Sequence, residues 1–432
     1  MNPFNPPRSL KSFFVIWTGQ AVSLLGSQLV QFALIWWLTQ ETGSATVLAT
    51  ASLVGLLPQV FFGPIAGTLV DRWNRRVTMI VADGVIALAT VGLAGLFLAD
   101  MAQVWHVYLL MFVRAVAGGF HWPAMAASTS LMVPQEHLTR IQGLNQTLQG
   151  GLNIVSAPLG ALLLEALPLQ GVLAIDVLTA LIAITSLLFV AIPQPQRRET
   201  PQTGANSPSS VWAEMAEGLR YVRAWPGLLM ILLMALVINM VLTPASSLEP
   251  ILVTEHFHGG ALQLGWLQSA FGVGVLLGGI TLGVWGGFRR RIYTSLLGLL
   301  GIGAAFLIVG LAPASAYALA VGGMFLGGVM MPIANGPLFA VVQAAVAPEM
   351  QGRVFTLIGS VATGMAPLGL IAAGPVADLL GVRTWFVFGG VITALMGGLG
   401  FFLPAVVSVE ENRAGAVIDQ MDGQTSAAAP MG

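Results

Sequence analysis

Cysteine is absent from the 432 residues, which excludes disulfides, thiolate-held metals and thiol catalysis together. Charge is almost as scarce. Lys and Arg total 17, Asp and Glu 18, and charged residues make up 8% of the chain, where a soluble protein carries about 25%. A water-facing surface cannot be built from that supply. The net charge of −1 leaves no basic excess for a nucleic-acid partner. No nucleotide-binding glycine loop, His-Glu-x-x-His pair or Ser/His/Asp grouping stands in the sequence. Self-contained ATP-driven pumping therefore lacks its residues, no cofactor is implied, and the chain does not read as an enzyme.

What is abundant points the other way. Hydrophobic residues reach 56% and glycines number 52, and the mean hydropathy is +0.84. Glycine on this scale suits helices that pack closely in lipid. The chain reads as an all-α integral membrane protein. The N-terminal "MNPFNPPRSLKSFF" leads into an apolar segment too long and too polar-studded for a signal-peptide core, so that segment reads as the first span.

A span needs about 20 apolar residues. Such runs lie near 13–39, 46–70, 77–99, 104–133, 143–167, 171–192, 228–253, 261–287, 292–312, 315–346, 355–379 and 384–406, which makes twelve. Arg8 and Lys11 precede span 1; Arg72, Arg75 and Arg76 follow span 2; Arg140 follows span 4. Arg197, Arg198, Arg220 and Arg223 follow span 6, Arg289 to Arg291 follow span 8, Arg353 follows span 10, and Arg413 lies in the tail. The alternate connections hold only Arg383. The positive-inside rule then places both termini and the even-to-odd loops in the cytoplasm, in a multi-pass protein of the cell (inner or plasma) membrane.

The composition shifts after span 6, where "PQPQRRETPQTGANSPSS" (193–210) reads as a flexible linker. In "VWAEMAEGLRYVRAW", Trp212, Met215, Leu219 and Val222 share one helical face, as in an amphipathic helix at the cytoplasmic interface or a solvated connector. The expected organisation is a six-helix half at 1–192, a linker at 193–227, a second half at 228–406 and a tail at 407–432. The halves echo one another. "APLG" recurs at 157–160 and 366–369, each preceded by a Gly-Gly pair and a proline (Gly118, Gly119, Pro123; Gly327, Gly328, Pro332), then by the turns "PQEHLTR" and "PEMQGR". Duplicated halves flanking a crevice characterise many secondary transporters.

One stretch concentrates the scarce charge. "GTLVDRWNRR" (67–76), between spans 2 and 3, resembles the loop signature of the major facilitator superfamily, in which Gly, three residues and Asp precede clustered basic residues. Asn74 stands where that pattern has Gly and is expected to tolerate a left-handed turn. The resemblance implies that Gly67, Asp71, Arg72, Arg75 and Arg76 form a conformational latch, with Asp71 meeting the start of span 11 near Arg353. Topology alone would explain the arginines but not the acid. "GVWGGFRRR" (283–291) keeps the basic residues and lacks the acid. "RAVAGG" in span 4 matches the superfamily's Arg-three-residues-Gly pattern, which implies a part for Arg114 in proton movement; helix packing is the alternative. "GLNIVSAPLGALL" partly resembles the exporter signature, with Ala157 in place of the glycine before Pro158. "AEGLRYVRAWPGL" and "GQAVSLLGSQLVQFALIWWL" resemble the macrolide-efflux branch.

Buried polar residues are few. Gln20, Ser23, Ser27 and Gln31 form a stripe on span 1 that lines the crevice or glues two helices. Asn239 and Asn335 fit either task. An intramembrane carboxyl is costly to leave charged, and one that can be neutral there can carry a proton. The candidates for coupling are Glu249, Asp176 and Asp83, with Arg114; for Asp83 and for Glu165 an interfacial or helix-cap role is the alternative. His121 beside Trp122 reads as a packing histidine rather than a proton relay. "HFH" (256–258) with Glu255 lacks a fourth ligand, so no metal site is expected.

The sequence thus predicts twelve membrane helices in two pseudo-symmetric halves. It predicts a secondary transporter that exports amphipathic drugs or related small molecules in exchange for protons. The expected partners are the substrate, protons and membrane lipid, with no nucleic acid and a monomeric state. The alternative is an importer or facilitator of a small polar metabolite; a membrane enzyme or sensor has least support.

Overall fold

The computed structural model describes residues 10–193, 220, 222–223, 225–346, 359 and 364–410, with the side chains at 63–65, 67–68, 71–72, 139 and 344–345 excepted. Twelve helices of fifteen residues or more follow one another among these residues. They are α1 (Leu10–Thr42), α2 (Ala45–Arg72), α3 (Arg75–Leu98), α4 (Val104–Met132), α5 (Leu138–Ala166) and α6 (Leu169–Phe189). The second set is α7 (Pro226–Ser247), α8 (Ala261–Trp285), α9 (Arg291–Leu311), α10 (Tyr317–Ala345), α11 (Ala366–Leu380) and α12 (Arg383–Gly400). Ten of them are long and apolar enough to cross a membrane; α11, with 15 described residues, and α12, with 18, complete the series. The linker 194–219, the turn "PEMQGR" with Arg353 and the tail 411–432 lie outside the described residues.

Local chemistry sets the helix ends. Gly43, at φ +55°, makes the two-residue turn between α1 and α2, a backbone shape that costs glycine little. Ser44 then caps α2 by accepting from the Val47 amide. The α2–α3 turn corrects one expectation. Asn74 has φ −70° and ψ 110°, not a left-handed conformation. Its side chain accepts from the Val77 amide at 3.2 Å. It replaces the usual glycine as the N-cap of α3, a task that favours Asn and needs no positive φ.

Span 7 differs from the continuous run read in the sequence. α7 stops at Ser247, and the chain re-enters a short α turn at Glu249–Ile251 and a π turn at Leu252–His256. Pro250 lacks an amide hydrogen, so the Ser246 carbonyl four residues earlier loses its helical partner, and the helix is interrupted at Leu248. Pro250 instead stands in the first turn of the new helix, where no amide is needed. Glu249 accordingly begins a new turn instead of lying inside a helix.

The described chain forms two compact units. The first holds Met1–Arg198 together with Ser246–Gly272 and Leu370–Val382. In it α1 packs on α6 and α5, α2 on α4, and α3 on α4 and α6. Small residues allow the approach: a Cβ on Gly19 would stand 2.7 Å from Ser186 Oγ, and one on Gly26 would meet Thr179. The start of α8 lies against α5, where Cβ atoms on Gly265 and Gly272 would meet Pro158 Cα at 3.0 Å and the Asn153 carbonyl at 3.1 Å. Pro158 has no amide hydrogen, so the Ile154 carbonyl loses its helical partner. Ser269 of α8 replaces it, donating to that carbonyl at 2.6 Å. At the other end of α11, Thr46 donates to Asp378 at 2.7 Å.

The second unit holds Glu199–Ala245, Val273–Gly369 and Arg383–Gly432. α9 is its centre, packed on α10 and α12. Val222 and Trp225, the described end of the amphipathic segment, are fully buried against Leu228, Ile292 and Val406. They join the protein core, while Arg220 and Arg223 beside them are exposed; the preceding part of the amphipathic segment lies outside the described residues. Glu410 accepts from the Ile292 amide at 2.7 Å, a carboxylate at the positive end of α9.

The packing generates a contrast that can be measured. A Cβ on Gly298 would lie 2.6 Å from Ala334 Cα, whereas Gly92 has nothing within 4 Å. Gly298→Ala is expected to destabilise the detergent-solubilised protein by about 1–3 kcal/mol, and Gly92→Ala to leave it unchanged or slightly more stable. Melting temperatures of the two variants check this.

Candidate functional site

The first unit carries two knots of polar side chains inside otherwise apolar helices. The larger centres on Asp176 of α6, whose side chain is 1% exposed. Arg114 of α4 reaches it at 2.6 Å through Nη1. Ser27 of α1 donates to Oδ1 at 3.2 Å, and Thr90 of α3 donates to Oδ2 at 3.2 Å. The second arm of Arg114 donates to the Ser27 backbone carbonyl at 3.2 Å. Four helices thus converge on one carboxylate, and every charge in the knot is compensated, as a low-dielectric interior demands.

The smaller knot centres on Asp83 of α3. Gln20 of α1 donates to Oδ2 at 3.1 Å, and His121 of α4 places Nε2 3.4 Å from Oδ1. His121 therefore faces a carboxylate, where the sequence reading gave it a packing role.

A third feature is a cavity of about 180 Å³ between α1, α5 and α8. Gln28, Gln31, Asn153, Ser156 and Gln268 supply its polar lining and Phe32 part of the apolar wall. Gln268 also donates to Glu249 at 3.4 Å. Glu249 is buried, so a carboxylate stands one amide behind the cavity.

These placements divide the expected stripe on α1. Gln20 and Ser27 are engaged by the two acids, Ser23 is buried between them, and Gln31 lines the cavity. Asn239 and Asn335 each donate to the carbonyl four residues earlier on their own helices, Ala235 and Met331. Glu249 stands apart from the Asp83 and Asp176 knots. Gln268, Asn153, Thr90 and His121 were not singled out as site residues. The signal was available for two of them, Thr90 and His121, because Gln20/Ser27, Asp83/Thr90 and Arg114/His121 are each seven residues apart.

Of the signature residues, Gly67, Asp71 and Arg72 have side chains outside the described set, as does the contact expected near Arg353. The following arginines are tied to helix ends. Arg76 donates to the Leu187 and Leu188 carbonyls at 2.6 and 2.5 Å, at the C-terminus of α6. Arg75, which is buried where Arg76 is half-buried, donates to the Ala127 carbonyl of α4 at 3.3 Å. A cation at a helix C-terminus satisfies its last carbonyls and its dipole. The pair therefore holds the start of α3 against α4 and α6. No group of three His, Asp or Glu residues among those described is arranged to hold a metal ion.

Comparison with known proteins agrees with this architecture. The model of the Major Facilitator Superfamily matches residues 16–249 and 243–420. The chain is 37% identical over 380 residues to macrolide efflux protein A of Streptococcus pyogenes, covering 88% of this chain and 93% of that one. It is 28% identical over 388 residues to the multidrug efflux pump Tap of Mycolicibacterium fortuitum, covering 88% and 92%. Among solved structures, a POT family transporter in complex with a thioalcohol conjugated peptide matches with a TM-score of 0.70 at 11% identity, covering 94% of this chain and 99% of that one. The nucleoside transporter NupG matches with a TM-score of 0.65 at 14% identity, covering 90% and 98%. At such identities the structures speak for the fold alone.

Because Arg114 and Asp176 are buried together, removing one leaves the other uncompensated. Asp176→Leu is expected to cost about 3–5 kcal/mol. Combining it with Arg114→Leu should cost less than the two single changes summed, by about 1–3 kcal/mol. Unfolding in mixed micelles across this double-mutant cycle measures the difference.

Proposed function

We propose, for a chain that belongs to the Major Facilitator Superfamily and is a multi-pass membrane transporter, that it exports amphipathic drugs or related small molecules by alternating access, in exchange for protons. It works in the cell membrane as a monomer, with both termini cytoplasmic.

The observation that carries this reading is the cavity between α1, α5 and α8. Its lining is amides, a hydroxyl and apolar side chains, without a charged residue. Such a surface suits the scattered hydrogen-bonding groups of an amphipathic ligand; at about 180 Å³ it takes one part of a drug-sized molecule, whose whole pocket needs about 300 Å³ or more. A small charged metabolite would call for converging ionic partners, and Arg114 is already committed to Asp176. The efflux activities named for the relatives in Streptococcus pyogenes and Mycolicibacterium fortuitum support the outward direction. The distribution of arginines supports the orientation.

Alternating access requires contacts that form in one state and part in another. Within the first unit, α5 meets α8 through Pro158, Gly265 and the Ser269 bond, and α2 meets α11 through Thr46 and Asp378. These pairs join residues from both sequence halves at the end remote from the arginine-rich loops. They are suited to part when the substrate leaves. Asp71, by its signature, latches the opposite end.

Proton coupling falls to the buried acids. Asp176 exchanges Arg114 for a proton in this reading, and Glu249 exchanges its amide partner. Glu249→Gln is expected to lower pH-gradient-driven transport by about tenfold or more while leaving substrate exchange intact. Unchanged pH dependence would remove Glu249 from the mechanism.

The primary test is accumulation of fluorescent amphipathic drugs and a radiolabelled macrolide in energised cells expressing the protein, with and without a protonophore. Lower accumulation that the protonophore restores is expected. Asp71→Asn should be inserted normally yet lose about tenfold in transport. Unchanged or raised accumulation with the protein in the membrane would favour the importer of a small polar metabolite.

A further inference from the structure

The two polar knots share a repeat. On α1 it is Gln20 and Ser27, on α3 Asp83 and Thr90, on α4 His121 and Arg114, each pair seven residues apart. Seven residues are two helical turns, or about 10.5 Å along the axis. The bonds fix the pairing: Gln20, Asp83 and His121 make the tier nearer the α2–α3 turn, and Ser27, Thr90, Arg114 and Asp176 make the tier farther from it. α4 runs against α1 and α3, so its order is reversed. Between the tiers, Ser23 of α1 is buried, three residues from Gln20 and four from Ser27, on the same face. Its hydroxyl can both accept and donate.

The farther tier accounts for its own members: the acid has its arginine and two hydroxyls. The nearer tier holds a titratable pair that packing does not require. His121 has a side chain 16% exposed and Asp83 one 8% exposed. Nε2 of His121 is itself buried, and no hydrogen bond of good geometry satisfies it. An imidazole placed so beside a carboxylate can take one proton, with the acid as its counter-charge.

We propose that the Asp83–His121 pair is a second proton-binding site, a station on the route by which the exchanged proton crosses the first six helices. The inference rests on the proton-exchange reading above and assigns it a place that the signature residues do not include. The proton leaves the Asp176 carboxyl as Arg114 re-forms its ion pair, crosses about 10.5 Å between the tiers, a distance that takes water beside the Ser23 hydroxyl, and binds the neutral imidazole of His121. The resulting imidazolium is held by the Asp83 carboxylate, which Gln20 orients. Loss of the same proton to water at the α2–α3 end restores the neutral ring, so one proton enters and one leaves.

The surroundings of the pair are sparse in charge. α1 presents only Gln20, its charged residues Lys11 and Glu41 lying near its ends. α3 adds Arg75, which is turned to the Ala127 carbonyl. α6 presents Asp176 in the farther tier, and α2 has no titratable residue before Asp71 and Arg72.

Two measurements test the assignment. On the purified full-length protein with ring-labelled histidine, NMR should show one of the five histidine signals responding reversibly to a change of pH. That signal should vanish in His121→Gln and titrate differently in Asp83→Asn. In proteoliposomes loaded with radiolabelled macrolide, His121→Gln should lower pH-gradient-driven transport by about tenfold while exchange at equal pH stays within about twofold. His121→Asn serves in place of His121→Gln if the latter fails to insert. A His121 ring that does not titrate overturns the proposal, as does an unchanged pH profile. Equal loss of driven transport and exchange assigns the pair to packing and also overturns it. A wild-type protein that moves no macrolide in either assay defeats the export reading, and the histidine titration then decides the proton site by itself.

Discussion

Hydrocarbon offers no water to a polar group, so each charge and each unpaired carbonyl inside the span must find its partner within the protein. The Asp176 carboxylate is where this constraint is most demanding. Arg114, Ser27 and Thr90 reach it from three other helices. Their geometry leaves little freedom in how α1, α3, α4 and α6 are placed relative to one another. A substitution at any of the four takes a bonding partner from a side chain on another helix.

The same constraint explains smaller features. Pro158 frees the Ile154 carbonyl inside α5, and Ser269 takes it up from α8. Arg75 and Arg76 serve carbonyls of α4 and α6. The glycines that let these helices approach recur at the same interval as the polar tiers: Gly19 and Gly26 on α1 meet Ser186 and Thr179 on α6. A seven-residue interval keeps a stripe facing its neighbour when helices cross at a shallow left-handed angle. Packing and polar chemistry therefore share one periodicity.

The seam of Pro158 and Gly265 and the bond of Thr46 to Asp378 are close yet made by few groups. A contact of that kind can be broken by a change of a few kcal/mol, the scale on which one proton or one ligand shifts a two-state equilibrium.

The sequence by itself determined the class, the twelve helices and the family, because hydropathy over about 20 residues depends on composition and not on neighbours. The "GTLVDRWNRR" stretch likewise carried its resemblance in consecutive residues. Asp176, Asp83, Arg114 and Glu249 were legible as costly intramembrane charges. Tertiary structure decided who meets whom. Arg114 and Asp176 are 62 residues apart in the chain and Gln20 and Asp83 are 63 apart, separations at which no local rule operates. The Asn74 cap and the break of span 7 before Glu249 are local, set by a side chain three residues from its amide and by Pro250. The meeting of His121 with Asp83 is not: it depends on the rotation of each helix about its own axis, and that is fixed only when the facing surfaces pack.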